Sequence, residues 1–200
     1  MMAGRGLGTA GSVAVQPFSA LACQEGLASQ GRLADRERLL AGIDAIFFAA
    51  SATQHFDSET ARQAFRERWL GRYIERFPEC VFLALDTGSE VAGYIVGALA
   101  DPAADPAFAD ISYFRELAAL TARFPAHLHI NLAAHARNQG LGGRLIEAFC
   151  EHARTQGAPG VHAVTAEQSR NRSFYARHGF APEAATSWNG HAIVFLARRL

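Results

Sequence analysis

The sequence predicts a mixed α/β fold (α+β in its layout): a sheet of parallel and antiparallel strands, flanked by helices and preceded by a helical N-terminal part. Three observations predict it. Apolar residues recur at helical spacing through the N-terminal third. Two β-rich runs then flank Asp86-Thr87-Gly88-Ser89, which is hairpin chemistry and demands antiparallel neighbours. Nearer the C-terminus a strand, a glycine-rich loop, a helix and another strand follow one another, and such a unit closes as a parallel pair with a right-handed crossover.

Composition sets the outer bounds. A chain of 200 residues, half of them hydrophobic and 19% charged, has the material for one well-packed core. Residues 1–12, "MMAGRGLGTAGS", are rich in glycine and lack an apolar signal region, so they read as a disordered leader before a single domain at 13–200. Lysine plus arginine balance aspartate plus glutamate at 19 each, leaving no basic field for nucleic acid. Cys23, Cys80 and Cys150 form no paired spacing, which argues against a disulfide framework or a zinc site and fits a reducing cytoplasm. No apolar run is long enough to span a bilayer. The histidines are equally scattered, so no metal is expected.

In chain order, "VAVQPF" (13–18) alternates weakly and reads as a first strand, with Ser19 capping a short helix. Leu39, Ile43, Ile46 and Phe47 mark an amphipathic helix over 35–50. Asp57 or Ser58 caps the next, along which Phe65, Trp69, Tyr73 and Phe77 recur every fourth residue until Pro78 stops it. Such a row reads chiefly as core. After the hairpin, "ADPAADPAFAD" is a loop and 113–124 a short helix. "AHLHINLAA" is a strand with His127, His129 and Asn131 on one face and Leu128, Ile130 and Leu132 on the other. A helix over 142–154, the strand "GVHAVTA", the short helix "RNRSFYARHGF" ended by Gly179, and the strand "HAIVFLARR" complete the series.

The stretch "RNQGLGGRL" (137–145) carries the chemistry. Between strand and helix, a loop with few side chains lets backbone N–H groups approach a phosphate, and the helix N-terminus adds unpaired donors and a positive dipole end. Gly140 and Gly142 permit that approach, and Arg137 and Arg144 bring charge suited to a pyrophosphate. The alternative is a glycine-rich turn with surface arginines. The Walker GK[ST] signature is absent, and this stretch does not match the Rossmann GxGxxG, so neither nucleotide loop is indicated at it.

These residues resemble a family. Arg137-Asn138-Gln139-Gly140-Leu141-Gly142 matches the [QR]xxGx[GA] acyl-CoA signature of the GCN5-related N-acetyltransferases (GNAT), and "SFYARHGF" (173–180) is similar to that family's late "FYxxxGF" segment. The resemblance covers 79–200. Within the family, "FPAHLHINL" before the loop is similar to bacterial acetyltransferases related to the acetyltransferase-like domain of O-GlcNAcase. It implies a GNAT-like splayed mixed sheet that takes acetyl-CoA between two parallel strands, here those ending at Leu132 and near Ala166. The backbone of Leu132, Ala133 and Ala134 would pair with the pantetheine arm. The backbone of Arg137, Asn138, Gln139, Gly140, Leu141 and Gly142, helped by Gly143 and Arg144, would hold the pyrophosphate. Gln168 and Ser173 would lie along the cofactor, and Tyr175 near its sulfur. Three positions depart from the family pattern: Gln168 replaces an asparagine, Ala134 and Ala136 replace a proline and an aromatic, and Asn131 stands where relatives often carry a carboxylate.

The implied reaction is direct acetyl transfer from acetyl-CoA to a primary amine in a ternary complex. A backbone N–H near Leu132 would polarise the thioester carbonyl. Tyr175 would protonate the departing sulfur, against the alternative of a ring that merely packs. His129 is a candidate base, against the alternative of a hydrogen-bonded structural histidine; Glu167, at the end of the next strand, is another, against that of an exposed acid; and Asn131 would orient substrate or water. The acceptor would be a small-molecule or peptide amine, and the protein a monomer or homodimer. The resemblance also implies that the N-terminal helices shape the acceptor pocket, with a few rings of the row Phe65, Trp69, Tyr73 and Phe77 lining it. A competing reading is a CoA-binding protein of this fold with little or no transferase activity.

Overall fold

The structure, a computed structural model, describes residues 14–22 and 29–200. The expected leader at 1–12 lies outside the described residues. Strand β1 (Ala14–Pro17) runs into α1 (Phe18–Ala22), so Ser19 sits inside that helix rather than capping it. The amphipathic helix α2 (Ser29–Ala50) begins before residue 35 and buries Leu39, Ile43, Ile46 and Phe47 as its spacing requires. Ser58 caps α3 (Glu59–Arg66) by accepting from the Ala61 N–H at 3.1 Å.

The helix then widens into a π-helical turn, Glu67–Gly71, before α4 (Arg72–Arg76). Side chains spaced by four drift about 40° per step round an α-helix. The wider turn takes up part of that drift, so Trp69 and Tyr73 both meet His129, with ring centroids 5.6 and 5.2 Å away. The helix expected at 113–124 is two pieces, α5 (Ser112–Glu116) and α6 (Ala118–Thr121), because Leu117 leaves helical geometry at ψ 23°.

Strands β2 (Phe82–Leu85) and β3 (Val91–Ala98) form the expected hairpin. Asp86 Oδ1 accepts from the Gly88 and Glu90 N–H groups, and Ser89 takes a positive φ of 63°. Strand β4 (Ala126–Leu132), helix α7 (Leu141–Thr155), strand β5 (Gly160–Ala166) and helix α8 (Asn171–Arg177) build the crossover unit. Strand β6 (Ala181–Trp188) escapes sequence reading, since "APEAATSW" is alanine-rich and carries a proline. It is an exposed edge strand with a register shift between Pro182 and Ala184, and that is where a sheet tolerates proline. The last strand, β7 (His191–Arg199), inserts between β5 and β6, giving the order β1-β2-β3-β4-β5-β7-β6.

The sheet divides two apolar clusters. Tyr94, Val96 and Ala98 of β3 face α2 and α4, whereas Ile95 faces α7 with Leu145 and Phe149. The strands approach closely at Gly97, where an added Cβ would lie 2.2 Å from the His127 carbonyl oxygen and 2.6 Å from the Phe149 ring. Gly97→Ala should therefore destabilise the fold by about 1–3 kcal/mol, the usual cost of overpacking. A urea titration checks this, and an unchanged midpoint would contradict the packing described here.

Candidate functional site

Strand β4 pairs along its length with β3, from His127↔Ala98 to Leu132↔Gly93. With β5 it pairs, in parallel, only at Ala126↔Val161 and His127↔His162. The two strands then part. The Ala133 N–H donates to the Ala92 carbonyl at 2.9 Å, so by strand alternation the N–H and C=O groups of Ile130 and Leu132 point away from β3, into the gap. Apart from the Leu132 carbonyl, which accepts from Arg137 Nε, these are strand-edge groups without a neighbouring strand, in a cleft between packed elements and positioned to bond an extended amide chain.

The loop at the end of β4 has anion-binding geometry. After a 3-10 turn, Ala134–Ala136, the backbone takes positive φ at Asn138 (62°) and Gly140 (77°). Gly140 begins α7 with no side-chain cap, and there is no acidic residue in its first turn. The first backbone bond at this end runs from the Arg144 N–H to the Gly140 carbonyl, leaving the N–H groups of Leu141, Gly142 and Gly143 directed outward. Arg137 and Arg144 are exposed here; Arg137 Nε also donates to the Leu132 carbonyl at 3.3 Å. Gln139 is fixed by its bond to the His135 carbonyl. Gly142 lets helix α8 dock, for a Cβ there would meet the Phe174 ring at 2.9 Å and Leu132 Cδ1 at 3.3 Å. The structure thus brings 132–134, 137–144 and one face of α8 together.

Tyr175 is 5% exposed and packs against Phe180 on the α7 side of the sheet. Burial pushes its phenol well above the ordinary tyrosine value, so it stays protonated at neutral pH. Ser173 and Gln168 lie elsewhere: they line a cleft of about 490 Å³ with Phe180, Pro182 and Leu196, on the far side of α8 from Phe174.

The opposite face of the gap carries His129 and Asn131. Asn131 Nδ2 donates to the Tyr94 hydroxyl at 2.8 Å, across the β3–β4 register. His129 is half-buried under Trp69, and Trp69 packs edge-on against Trp188 at the end of β6. Burial, with the nearby Arg72 guanidinium, lowers the His129 pKa to about 4. Arg72 is itself nearly buried and binds Asp110 through two bonds of 2.7 and 2.9 Å, which with Arg68 holds the Asp110 carboxyl down at about 2. Tyr94 and Trp188 escaped functional notice in the sequence, and Tyr73 was noticed only as one of a row that reads chiefly as core and of which a few rings were expected to line the acceptor pocket. Tyr94 is visible only through strand register, and Trp188 sits on the unread strand. The described residues contain no cluster of three potential metal ligands and no helix long and apolar enough to cross a membrane.

The sequence pattern of the Acetyltransferase (GNAT) family matches residues 47–180. The chain belongs to this family. Among solved structures, SsHAT has a similar fold at 23% identity and a TM-score of 0.66, over 94% of this chain and 98% of that one. The NatC complex bound to Gag peptide and CoA is similar at 16% identity and TM-score 0.59, over 94% and 98%. Naa20 of Chaetomium thermophilum, in complex with a bisubstrate analogue, is similar at 18% identity and TM-score 0.54, over 81% and 80%. The open seven-stranded mixed sheet flanked by helices is thus the GNAT fold, as the loop and "FYxxxGF" had implied.

The buried histidines of this GNAT chain should make its stability depend on pH. His162 is fully buried, bonded to the Phe124 carbonyl through Nδ1, and lowered by burial to about 4; burial also drives His127 well below the usual histidine value. In the unfolded chain these rings bind protons near pH 6.5. Between about 6.5 and 4 the unfolded state therefore holds more protons, and stability falls as pH falls. Each fully buried ring should contribute a slope of up to about 1.4 kcal/mol per pH unit. Urea midpoints at pH 7, 6 and 5 check this, with a shallower slope expected for His162→Phe; equal midpoints would refute it.

Proposed function

We propose that the protein is an acetyl-CoA-dependent N-acetyltransferase that moves an acetyl group to a primary amine by direct transfer in a ternary complex. The observation that carries this reading is the parting of β4 and β5 beside an uncapped helix N-terminus: an edge for an amide arm, ending at a site for a pyrophosphate. Family membership and neighbours solved with CoA or a bisubstrate analogue support it. Bound acetyl-CoA supplies a thioester, an acetyl group already activated for attack by nitrogen.

The roles of the residues follow from their places. The N–H groups of 141–143 and the side chains of Arg137 and Arg144 hold the pyrophosphate, while residues 132–134 align the pantetheine arm. The Leu132 N–H polarises the acetyl carbonyl. His129 takes a proton from the incoming ammonium, and Asn131, fixed by Tyr94, orients the amine. As the C–N bond forms and the C–S bond breaks, Tyr175 gives its proton to sulfur. Gln168 and Ser173, in their separate cleft beyond α8, are given no part in holding the cofactor. A base with a pKa near 4 is weak at neutral pH, so much of the acceleration comes from juxtaposing the reactants. The same weakness favours a second reading, a CoA-binding protein with little or no transfer. The acceptor is a small-molecule or peptide amine, and the protein acts in the cytoplasm as a monomer or homodimer, with neither nucleic acid nor membrane as partner.

Acetyl-CoA at about 100 times its Kd should stabilise the wild type by about 2.7 kcal/mol, whereas ATP and NAD should not. Arg144→Glu, at an exposed position, should weaken acetyl-CoA binding about tenfold or more without altering the free protein's melting temperature. Release of free CoA on adding amines separates transferase from binder, and Tyr175→Phe should cut that rate about 100-fold. No stabilisation by acetyl-CoA would end the proposal; stabilisation without release from any of a broad amine panel would leave the second reading.

A further inference from the structure

The Tyr73 hydroxyl, on a side chain with no exposed surface, lies between two imidazoles. It is 3.2 Å from His127 Nε2 and 3.1 Å from His129 Nε2. A hydroxyl has one proton to donate, and an imidazole nitrogen either donates or accepts. With both rings neutral, satisfying both contacts and using the hydroxyl's own proton in one of them requires one Nε2 to carry hydrogen and the other to carry a lone pair. The two rings therefore hold opposite tautomers, coupled through one oxygen.

Which ring takes which tautomer follows from which nitrogen is open. His127 is 2% exposed, and its Nδ1 is buried without a hydrogen-bond partner. His162 stacks 5.5 Å from that ring, and Phe108 and Phe114 beside it offer no acceptor. Both Nε2 atoms are held at the Tyr73 oxygen, so a proton from the cleft can be taken up only at His129 Nδ1, and a base needs its lone pair there. The donors then run from His129 Nε2–H to the Tyr73 oxygen and from Tyr73 O–H to His127 Nε2, which leaves the hydrogen of His127 on Nδ1. The remaining nitrogen, His129 Nδ1, has no partner among the described residues. It is not one of the sealed, unpaired ring nitrogens either, which are His127 Nδ1, His152 Nε2 and His162 Nε2.

We propose that Tyr73 is a positioning residue, which together with His127 sets the tautomer of His129 so that Nε2 is protonated and Nδ1 presents its lone pair to the cleft. Resting on the reading of His129 as the amine's base, this makes the acceptor face directional. A proton taken from the substrate ammonium arrives on Nδ1, while Nε2–H stays bonded to Tyr73. The reverse tautomer would present an N–H to the cleft and could accept nothing there.

The decisive experiment is nitrogen-15 NMR of the histidine rings in the full chain at pH 7.5. For wild type, the His129 signals should show a protonated Nε2 and an unprotonated Nδ1. Tyr73→Phe, which removes only the hydroxyl, should leave a mixture of tautomers. It should bind acetyl-CoA as wild type does in a thermal-shift assay and lose kcat by about tenfold with little change in the KM for acetyl-CoA. A wild-type His129 protonated at Nδ1 would overturn the proposal without reference to any variant. So would an unchanged tautomer or an unchanged kcat in a folded Tyr73→Phe protein. The tautomer readout needs no activity, so failure of the acetyltransferase reading, seen as no acetyl-CoA shift in wild type, is told apart from failure of this one.

Discussion

The organisation of this protein depends on two strands that stop pairing. Parallel neighbours β4 and β5 share two residue pairs and then separate, although each stays fully paired on its other side, β4 to β3 and β5 to β7. Five residues of β4, Leu128 to Leu132, lie beyond the last pair, a free edge of about 16 Å at ordinary strand rise. Buried or half-buried backbone groups do not go without partners cheaply. Such an edge, held open by rigid strands on either side, is a standing demand for an extended polar chain. The pairing of β5 with β7 along its whole length, from Gly160↔Arg199 to Ala166↔Ile193, anchors β5 on the far side of the gap.

The gap also joins two faces that the sheet otherwise keeps apart. On one side lie α7, its uncapped N-terminus and Tyr175; on the other lie the helical N-terminal part, Trp69, Tyr73, His129 and Asn131. The electrostatic character of the two sides differs accordingly. The loop side is open and carries exposed guanidinium groups, suited to an anion. On the histidine side the charges near the strand are already spent in pairs, Arg72 and Arg68 with Asp110 and Arg66 with Asp44, and the imidazoles are kept neutral by burial.

The loop and its setting were legible in the sequence because their signals are local: glycine at the strand-to-helix junction, arginines beside it, and "FYxxxGF" a fixed distance on. The hairpin was legible for the same reason. The acceptor face was only half legible. Alternation placed His127, His129 and Asn131 together, but Tyr94 joins Asn131 through register, and register is a property of two strands rather than one. Tyr73 stood in plain view as one aromatic of four. A row spaced by four reads as core until the π-helical turn is known, for that turn points its middle members at a histidine. Strand β6, and Trp188 with it, was lost because an exposed edge strand can be made of alanine, serine and threonine around a proline without the apolar alternation that announces a buried one.

One strand, β4, carries both halves of the proposed chemistry. His129 and Leu132 are three residues apart, about 10 Å along the strand, and face opposite sides of the sheet. Both are held by the same ladder to β3, so their spacing is fixed by backbone hydrogen bonds instead of by loop conformation. A base and a carbonyl donor mounted this way need no closing motion to find their distance. Rigid placement of this kind can replace much of what a stronger base would contribute, since orienting two reactants removes several kcal/mol of entropic cost from the barrier, of the order of 7 or more in favourable cases. A half-buried histidine of low basicity is compatible with such a site, provided its lone pair points the right way. For that reason the orientation of a single imidazole, rather than its pKa, is the property on which the acceptor face turns.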